Sequence, residues 1–283
     1  MKDSDIKVVV CGAMGNMGSR IIRSVLKAED MMLVGAIDKP GIPVEGKDVG
    51  EAIGIETLDV DVRGSDKLTE VLEEVSPDVL VDFSVAEAAV NSVEKASEAG
   101  VSVVVGTTGF SEDQRIRMES LVSDSGISAI ISSNMAPGVN VFFKLVEEAA
   151  SNLFDYDMEL IEAHHNKKVD SPSGTALTAA KMAAEASGKD FEEVARYGRK
   201  RGHIGERERD EIGIHSVRAG NISGDHTFIF AGDNERLEIT HRARDRQVFV
   251  DGTLKAIRYV SSEEMSGRVL TMKDVLFSEE TSE

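Results

Sequence analysis

The stretch Ile6-Lys7-Val8-Val9-Val10-Cys11-Gly12-Ala13-Met14-Gly15-Asn16-Met17-Gly18 decides the fold of this 283-residue chain. Its first half is a β-branched apolar run, which predicts a buried strand. The glycines that follow leave the backbone accessible ahead of a helix, and the N-terminus of a helix attracts anions. The pattern therefore predicts a turn that binds the pyrophosphate of a dinucleotide. The alternative is a glycine-rich turn that only packs a helix on a strand.

The turn departs from the strict G-x-G-x-x-G spacing, because Met14 and Met17 stand where that motif has glycine. Support comes from residues 32–37, which predict a second strand ending in Asp38. A carboxylate about 20 residues past the turn commonly binds the ribose hydroxyls of the adenosine. Lys39 follows, and it either pairs with the 2′-phosphate of NADP or is a solvated turn lysine. The predicted cofactor is NADH or NADPH, with no preference between them.

Short β-branched runs continue to alternate with helical stretches as far as about residue 135. Strands are predicted at 79–83, 101–105 and 128–131, and helices at 17–28, 86–99 and 112–123. Residues 38–66 are expected to form an irregular excursion with one short strand. This βαβ pattern predicts a parallel sheet, which binds its ligand at the carboxyl ends of the strands. The loops Gly106-Thr107-Thr108 and Ser132-Ser133-Asn134-Met135 fall there and either face the nicotinamide or are ordinary β-turns.

Beyond residue 135 the pattern changes. Strands are predicted at 156–162, 212–217, 227–230 and 237–240, with one helix beginning near Ser173. Residues 251–260 are predicted to be helical and 272–276 to form a last short strand. The predicted fold class is α/β. A Rossmann-like parallel-sheet dinucleotide-binding domain covers 1–135 and is completed by about 245–283. A smaller α+β substrate-binding and oligomerisation domain with an open mixed sheet covers 136–244.

The densest group of chemically active side chains is Glu162-Ala163-His164-His165-Asn166-Lys167-Lys168-Val169-Asp170-Ser171-Pro172-Ser173-Gly174-Thr175. Adjacent histidines in an extended chain point to opposite faces, so His164 and His165 are poorly placed to chelate one ion. A histidine titrates near neutral pH, and a partly desolvated lysine can be brought toward it. A histidine or a lysine of this segment is therefore suited to supplying a proton.

A helix is expected to begin directly after this loop, with Ser171 or Ser173 as its cap. Its first turn, at Gly174 and Thr175, would present N–H groups to an anion such as a substrate carboxylate. The alternative is plain N-capping with no ligand.

Composition and charge narrow the class of protein. The net charge is -19, from 51 acidic and 32 basic residues, and would repel a phosphate backbone. The basic cluster over 196–209 is interrupted by acidic residues. No apolar run approaches the roughly 18 residues of a membrane span. The single Cys11 and the absence of zinc-ligand spacing argue against disulfides and metals. With no signal-peptide pattern at the start, we expect a soluble, cytoplasmic protein that binds neither nucleic acid nor membrane.

Along its whole length, the sequence resembles the 4-hydroxy-tetrahydrodipicolinate reductases, also called dihydrodipicolinate reductases. The most specific stretch runs from Glu162 to Ala176. It is supported by Gly106-Thr107-Thr108-Gly109-Phe110, Val217-Arg218-Ala219-Gly220 and Leu237-Glu238-Ile239-Thr240-His241. The resemblance implies NAD(P)H-dependent reduction of 4-hydroxy-tetrahydrodipicolinate to tetrahydrodipicolinate, with loss of water, in the diaminopimelate route to lysine.

The resemblance also implies residue roles. His164 would donate or accept a proton, and Lys168 would be a second proton donor. His165, Gly174 and Thr175 would bind the carboxylates of a small dicarboxylate substrate. A homotetramer would assemble through the strands between 212 and 240. Together with the residue pattern, cofactor contacts are predicted at Gly12, Ala13, Met14, Gly15, Asn16, Met17, Asp38, Lys39, Gly106, Thr107, Thr108, Ser132, Ser133, Asn134 and Met135.

Three departures from the family pattern leave NAD and NADP unranked. Met14 replaces a common glycine, Ser132-Ser133 stands where Ala-Ala is frequent, and Asp38 is shorter than the usual glutamate. Two other functions stay open. The first alternative is another two-domain NAD(P)-dependent imine or carbonyl reductase, such as an amino-acid dehydrogenase. The second is a non-catalytic nicotinamide sensor. A proton donor such as Lys168 has no use in a sensor.

Overall fold

The structure is a computed structural model that describes residues 5–262 and 267–277. The chain divides into two compact units. The first contains the residues up to Ala136 and those from Phe249 onward, and the second is Pro137–Val248. The boundaries predicted from the sequence were 135/136 and 244/245. Residues 1–4, which belong to the segment without a signal-peptide pattern, lie outside the described residues. So do residues 263–266 and 278–283 of the segment 245–283 that was predicted to complete the first domain.

Twelve strands and ten α-helices are assigned within the described residues. The strands are β1 (Ile6–Cys11), β2 (Met31–Asp38), β3 (Val62–Gly64), β4 (Val79–Asp82), β5 (Ser102–Val105), β6 (Ala129–Ile131), β7 (Asp157–His164), β8 (Ala195–Tyr197), β9 (Ile212–Arg218), β10 (Gly224–Ala231), β11 (Arg236–Ala243) and β12 (Val269–Leu270). The helices are α1 (Gly18–Val25), α2 (Val49–Ile53), α3 (Leu68–Val75), α4 (Ala86–Ala99), α5 (Glu112–Ser125), α6 (Pro137–Asn152), α7 (Gly174–Ala186), α8 (Phe191–Val194), α9 (Gln247–Val260) and α10 (Met272–Phe277).

The first unit is built on a seven-stranded sheet in the order β12-β6-β5-β4-β1-β2-β3. All of its strand pairs are parallel. Both faces are buried, which is why the strands read as continuous apolar runs. In β1, Val8 and Val10 join one hydrophobic cluster while Val9 and Cys11 join the other. The period of two along a strand thus supplies a core to each face of one sheet.

The strand order reverses direction between β1 and β4. The chain moves outward through β2 and β3 on one side, and through β5 and β6 on the other. Loops that leave β1 and β4 at their carboxyl ends therefore separate and open a crevice, where open α/β sheets bind ligands.

The second unit is a five-stranded mixed sheet in the order β11-β10-β7-β9-β8. β7 pairs parallel with β9 and antiparallel with β10. Helices α6 and α7 pack together and contact one face of this sheet. That face carries the buried side chains of Met158, Leu160, Phe228 and Phe230. The predicted fold class, a Rossmann-like parallel sheet plus a smaller α+β unit with a mixed sheet, is confirmed.

The predicted last strand at 272–276 is wrong, because these residues form α10. Thr271 and Asp274 make a capping box in front of it. Oδ2 of Asp274 accepts the N–H of Thr271 at 2.7 Å, and Oγ1 of Thr271 accepts the N–H of Lys273 at 3.2 Å. Such a pair favours the start of a helix over a short strand. The strand lies just before it, at β12.

Several elements were not predicted. The 38–66 excursion contains the expected short strand, β3, and also the helix α2, which Asp48 caps by accepting the N–H of Glu51 at 3.1 Å. Helix α3, strand β8 and the short helix α8 were missed. So was α6, although its buried Val139, Phe142 and Val146 recur at helical spacing.

Candidate active site

The predicted pyrophosphate turn joins β1 to α1, and two of its glycines determine its shape. Gly12 has a φ of +75°, and a Cβ there would lie 2.5 Å from the carbonyl oxygen of Phe83. A Cβ on Gly18 would overlap the carbonyl oxygen of Gly12. Side chains at these positions would push the turn away from α1 and from the loop after β4. With glycine there, the backbone at the start of the helix stays open to a phosphate.

Met14 and Met17, which interrupt the strict glycine spacing, pack their side chains partly buried against the core of the first unit. The backbone remains available there. The N–H of Met14 donates to Oδ2 of Asp38 at 2.7 Å, and the N–H of Lys39 donates to Oδ1 at 2.7 Å. Asp38 is thus held beside the turn. Each carboxylate oxygen can accept a second hydrogen bond, so Asp38 stays suited to ribose hydroxyls.

A cleft of about 1050 Å³ in the first unit brings the turn together with Asp38 and Lys39. This volume is at the upper end of ordinary small-molecule pockets, roughly 300–1,000 Å³. Apolar side chains suited to a purine ring line it, namely Ile37, Ile42, Pro43, Val44, Phe83, Val85 and Ala88. The glycine turn, the carboxylate and this apolar cleft together fit a dinucleotide. Among the described residues, 106–108 and 132–135 are not part of its lining.

Asp82, at the end of β4, organises the loop that follows β5. Its side chain is fully buried. Oδ1 accepts hydrogen bonds from the Thr107 hydroxyl at 2.8 Å and from the N–H and hydroxyl of Ser84 at 3.0 and 2.7 Å. The Thr107 hydroxyl also accepts the N–H of Ser84 at 2.9 Å. The Thr107 hydroxyl is therefore hydrogen-bonded within the protein, whereas Thr108 is exposed.

The loop after β6 is closed by its own side chains. The Ser132 hydroxyl donates to the carbonyl of Asn134 at 3.0 Å and accepts its N–H at 3.3 Å. Oδ1 of Asn134 accepts the N–H of Ala136 at 3.0 Å. Met135 is 2% exposed and, like the fully buried Ala13, belongs to the hydrophobic core. Met135 and Ala13 therefore have only backbone to offer a cofactor, while Ser133 is exposed.

In the second unit, His164 ends β7 and is held by Glu162, two residues earlier on the same face of the strand. Nδ1 of His164 lies 2.6 Å from Oε2 of Glu162. The two side chains are 11% and 0% exposed. The ring of His226 lies edge-on to His164, with centroids 5.2 Å apart. His165, the next residue, is half-buried.

Arg218 clamps the Glu162 carboxylate from the end of β9. Nη1 donates to Oε2 at 2.8 Å and Nη2 to Oε1 at 2.7 Å. The N–H of Ser173 also donates to Oε1, at 3.1 Å. Burial alone would raise the pKa of Glu162, but the hydrogen bonds from Arg218 and His164 outweigh it and lower the pKa to about 2. Burial lowers the pKa of His164, and the hydrogen bond to Glu162 opposes this.

The segment that follows β9 pins the loop that carries Lys168. The N–H of Ala219 donates to the carbonyl of His164 at 2.9 Å, and the N–H of Asn166 donates to that of Gly220 at 3.2 Å. Nη2 of Arg218 also donates to the carbonyl of Asp170 at 2.9 Å. The Val217-Arg218-Ala219-Gly220 motif therefore shapes the histidine loop.

Lys168 points its ammonium at Asp170. Nζ donates to both carboxylate oxygens at 2.8 Å. The lysine side chain is 19% exposed and that of Asp170 is 55% exposed. The hydrogen bond from Lys168 lowers the pKa of Asp170.

Helix α7 begins where the sequence predicted, and Ser173 rather than Ser171 caps it by accepting the N–H of Ala176 at 3.1 Å. Gly174 and Thr175 form the first turn, at the positive end of the helix dipole. The Ser173 hydroxyl also lies 3.0 Å from Nε2 of His226. Burial, and then the charge of His164, lowers the pKa of His226 to about 3.

Residues 5–262 and 267–277 contain neither a metal-binding cluster nor a membrane-spanning helix. No group of three or more His, Cys, Asp or Glu side chains there is arranged to hold a metal ion. No helix in the same residues has the length and apolar character needed to cross a membrane. Cys11 is free, and burial raises the pKa of its thiol.

Family models match both units. The model described as "Dihydrodipicolinate reductase, N-terminus" matches residues 6–135, and the one described as "Dihydrodipicolinate reductase, C-terminus" matches 138–276. The chain belongs to the dihydrodipicolinate reductase family. The resemblance noted in the sequence is thereby confirmed, and the two matches meet close to the boundary between the compact units.

Curated members of the dihydrodipicolinate reductase family are similar over nearly the whole chain. A protein named 4-hydroxy-tetrahydrodipicolinate reductase from Methanothermobacter thermautotrophicus is 52% identical over 271 residues, which cover 96% of this chain and 98% of that protein. One of the same name from Methanocaldococcus jannaschii is 51% identical over 256 residues, covering 90% and 92%.

Solved structures agree with this assignment. A dipicolinate-bound dihydrodipicolinate reductase from Paenisporosarcina sp. TG-14 superposes with a TM-score of 0.75 at 27% identity, covering 94% of this chain and 97% of that one. An amine dehydrogenase from Mycobacterium smegmatis superposes with a TM-score of 0.61 at 15% identity, covering 95% and 96%. The second likeness shows the shared fold alone.

The sequence predictions do not include three of the residues that organise these sites. Glu162 and Arg218 were quoted only as parts of motifs, although a glutamate two positions before a strand histidine shares its face. Asp82 could also have been identified from the sequence, because it is the polar residue that ends the apolar run of β4. Nothing in the local pattern indicates that Ile42, Pro43 and Val44 line the cleft.

Proposed function

We propose that this chain reduces 4-hydroxy-tetrahydrodipicolinate to tetrahydrodipicolinate with loss of water, using NADH or NADPH, in diaminopimelate and lysine biosynthesis. The observation that carries the proposal is the arrangement of residues 162–175. A buried imidazole, an ammonium and a capped helix N-terminus follow one another there, in a chain that is 52% identical to a reductase of that name. The cytoplasmic location expected from the sequence is part of the same proposal.

The first unit would hold the cofactor, and a bound nicotinamide would supply the hydride. The turn would bind pyrophosphate through its backbone, and Asp38 would accept the ribose hydroxyls. Lys39 lines the cleft beside it, where it would meet the 2′-phosphate of NADPH. The remaining contacts are proposed for Gly12–Met17, Gly106–Thr108 and Ser132–Met135, with Ala13, Thr107 and Met135 acting through backbone.

The second unit would donate and accept the protons of the reaction. Hydride addition to a conjugated imine leaves negative charge that a nearby donor must relieve. His164 would give or take a proton through Nε2, since Nδ1 is hydrogen-bonded to Glu162. Lys168 would be the second donor after exchanging Asp170 for the substrate. That pair is partly exposed, so breaking it costs about 1 kcal/mol or less.

The substrate's carboxylates would be bound by His165 and by the first turn of α7. Gly174 is exposed and Thr175 is half-buried. The positive end of the helix stabilises a carboxylate there.

The test is a coupled assay in which the cyclic substrate is generated from pyruvate and aspartate semialdehyde and NAD(P)H oxidation is followed by absorbance. Oxidation that depends on both precursors is expected. Oxidation with a simple oxo acid instead would favour an amino-acid dehydrogenase, and binding of NAD(P)H without turnover would favour a nicotinamide sensor.

The variant Lys168→Ala tests the proposed role of Lys168 as a proton donor. The substitution should lower kcat by about 100-fold or more, with the Kd for cofactor near that of the parent protein, because it removes a proton donor of the second unit. An unchanged kcat would remove Lys168 from the mechanism.

We also propose the homotetramer that the resemblance implies. The face of the second sheet opposite α6 and α7 carries Ile161 and Val217, which are 41% and 44% exposed. They lie on neighbouring strands, with Val217 opposite Ala163, two residues along β7 from Ile161. Exposed apolar side chains on a sheet face are typical of a surface that another subunit covers.

A further inference from the structure

We propose that Glu162 is a positioning residue. Its carboxylate, backed by Arg218, holds His164 in the tautomer protonated at Nδ1, so that Nε2 is the nitrogen that exchanges a proton with the substrate. The catalytic consequence rests on the proposed function, whereas the tautomer rests on geometry alone.

The tautomer follows from the chemistry of the contact. Oε2 of Glu162 and Nδ1 of His164 are 2.6 Å apart, which requires one proton between them. An ionised carboxylate can only accept hydrogen bonds, so the imidazole nitrogen must donate. The low pKa of Glu162, about 2, keeps the carboxylate ionised at neutral pH.

The carboxylate is fixed from three directions. Besides His164 on its own strand, it receives two hydrogen bonds from Arg218 and one from the N–H of Ser173 at the cap of α7. A fully buried carboxylate with a single partner would be strongly disfavoured, and the paired guanidinium removes much of that cost. The paired fork of Arg218 also sets the plane of the carboxylate, and therefore the orientation of the ring.

The opposite edge of the imidazole is left open. A Cβ on Gly224 would lie 3.1 Å from Nε2, so glycine keeps this edge uncrowded. Among the residues that the structure describes, none hydrogen-bonds Nε2. In the neutral ring Nε2 is therefore a base, and in the protonated ring it is the available donor.

The negative charge of Glu162 also stabilises the protonated form of His164. Lys168 and Arg218 lower the pKa of His164, after burial, and Glu162 raises it. The other titratable groups around the ring, or behind it on the next strands, are Asp170, His226 and His241. His226 stays neutral at working pH because burial lowers its pKa to about 3. Neutralising Glu162 should therefore lower the pKa of His164 further.

The experiment is ¹⁵N NMR of the full chain labelled at histidine, in the parent protein and in Glu162→Gln, with His164→Asn to assign the signals. The parent should show a protonated Nδ1 and an unprotonated Nε2. Glu162→Gln should lose that preference, lower the pKa of His164, and lower kcat by about 100-fold or more with little change in the KM for NAD(P)H. A parent protein protonated at Nε2, or an unchanged tautomer and pH profile in Glu162→Gln, would overturn the proposal.

Glu159→Gln is the matched control. Glu159 lies on the opposite face of β7 and makes an equally short contact, 2.6 Å, to Nε2 of His215. Its substitution should leave the His164 signals and the pH profile of kcat unchanged. A change as large as in Glu162→Gln would attribute the effect to the sheet as a whole and reject the specific role.

Arg218→Lys keeps the inference testable if Glu162→Gln does not fold. It retains a charge on the carboxylate but loses the paired fork. We expect the Nδ1–H tautomer to persist with a smaller loss of kcat, about tenfold; loss of the tautomer would show that Glu162 does not hold it. The NMR needs no substrate, so failure of the coupled assay rejects the proposed function alone, and an Nε2–H tautomer in an active enzyme rejects this inference alone.

Discussion

Lowering the pH from about 5 to about 2 tests how strongly the fold holds the carboxylate of Glu162. In the unfolded chain this group has its ordinary pKa of 4.5, and in the folded protein the pKa is about 2. Because the folded value is the lower one, the stabilisation is fully present above the unfolded pKa and is lost as the pH falls through about 2. Two values about 2.5 pH units apart, at 1.36 kcal/mol each, give an upper bound of about 3 kcal/mol.

The assay is urea unfolding followed by circular dichroism at a series of pH values, for the parent protein and Glu162→Gln. Other carboxylates titrate in both proteins, so the difference between the two free energies of unfolding isolates Glu162. This difference should shrink by up to about 3 kcal/mol between pH 5 and pH 2. If the two curves run parallel over that range, the ion pair with Arg218 does not stabilise the fold as described.

Three further predictions address the cofactor and the assembly. Gly18→Ala should weaken NADH and NADPH alike by about tenfold or more in isothermal titration, because its Cβ would overlap the carbonyl of Gly12; wild-type affinity would show that the turn tolerates a side chain. Lys39→Ala should weaken NADPH about tenfold more than NADH, and equal losses would mean that Lys39 does not contact the 2′-phosphate. Val217→Asp places a charge on the outward sheet face and should reduce the assembly mass in sedimentation velocity; an unchanged mass would place the subunit interface elsewhere.

Much of the first unit was predictable because its signals are local. The apolar run of β1, the glycines after it and the position of Asp38 at the end of β2 can all be recognised from the residues next to them in the sequence. The predictions failed where one side chain redirects its neighbours. Asp274 converts an apolar segment into α10.

The site in the second unit was predictable as a list of residues but not as an arrangement. His164, Lys168 and the capped start of α7 are close in sequence, so one segment supplies them all. The fork of Arg218 comes from 56 residues away. It reaches Glu162 only because β9 pairs with β7 in a register that sets Arg218 opposite His164.

By itself, the sequence determined the α/β class, the dinucleotide turn and the segment that carries the chemistry, because strand periodicity, glycine turns and helix caps are properties of neighbouring residues. Only the tertiary structure decided which hydroxyls face inward, what lines the cleft around Asp38 and that Nδ1 of His164 lies against the Glu162 carboxylate. Those features depend on strand register and on contacts between residues that are far apart in the sequence. Both arise only when distant segments are brought together.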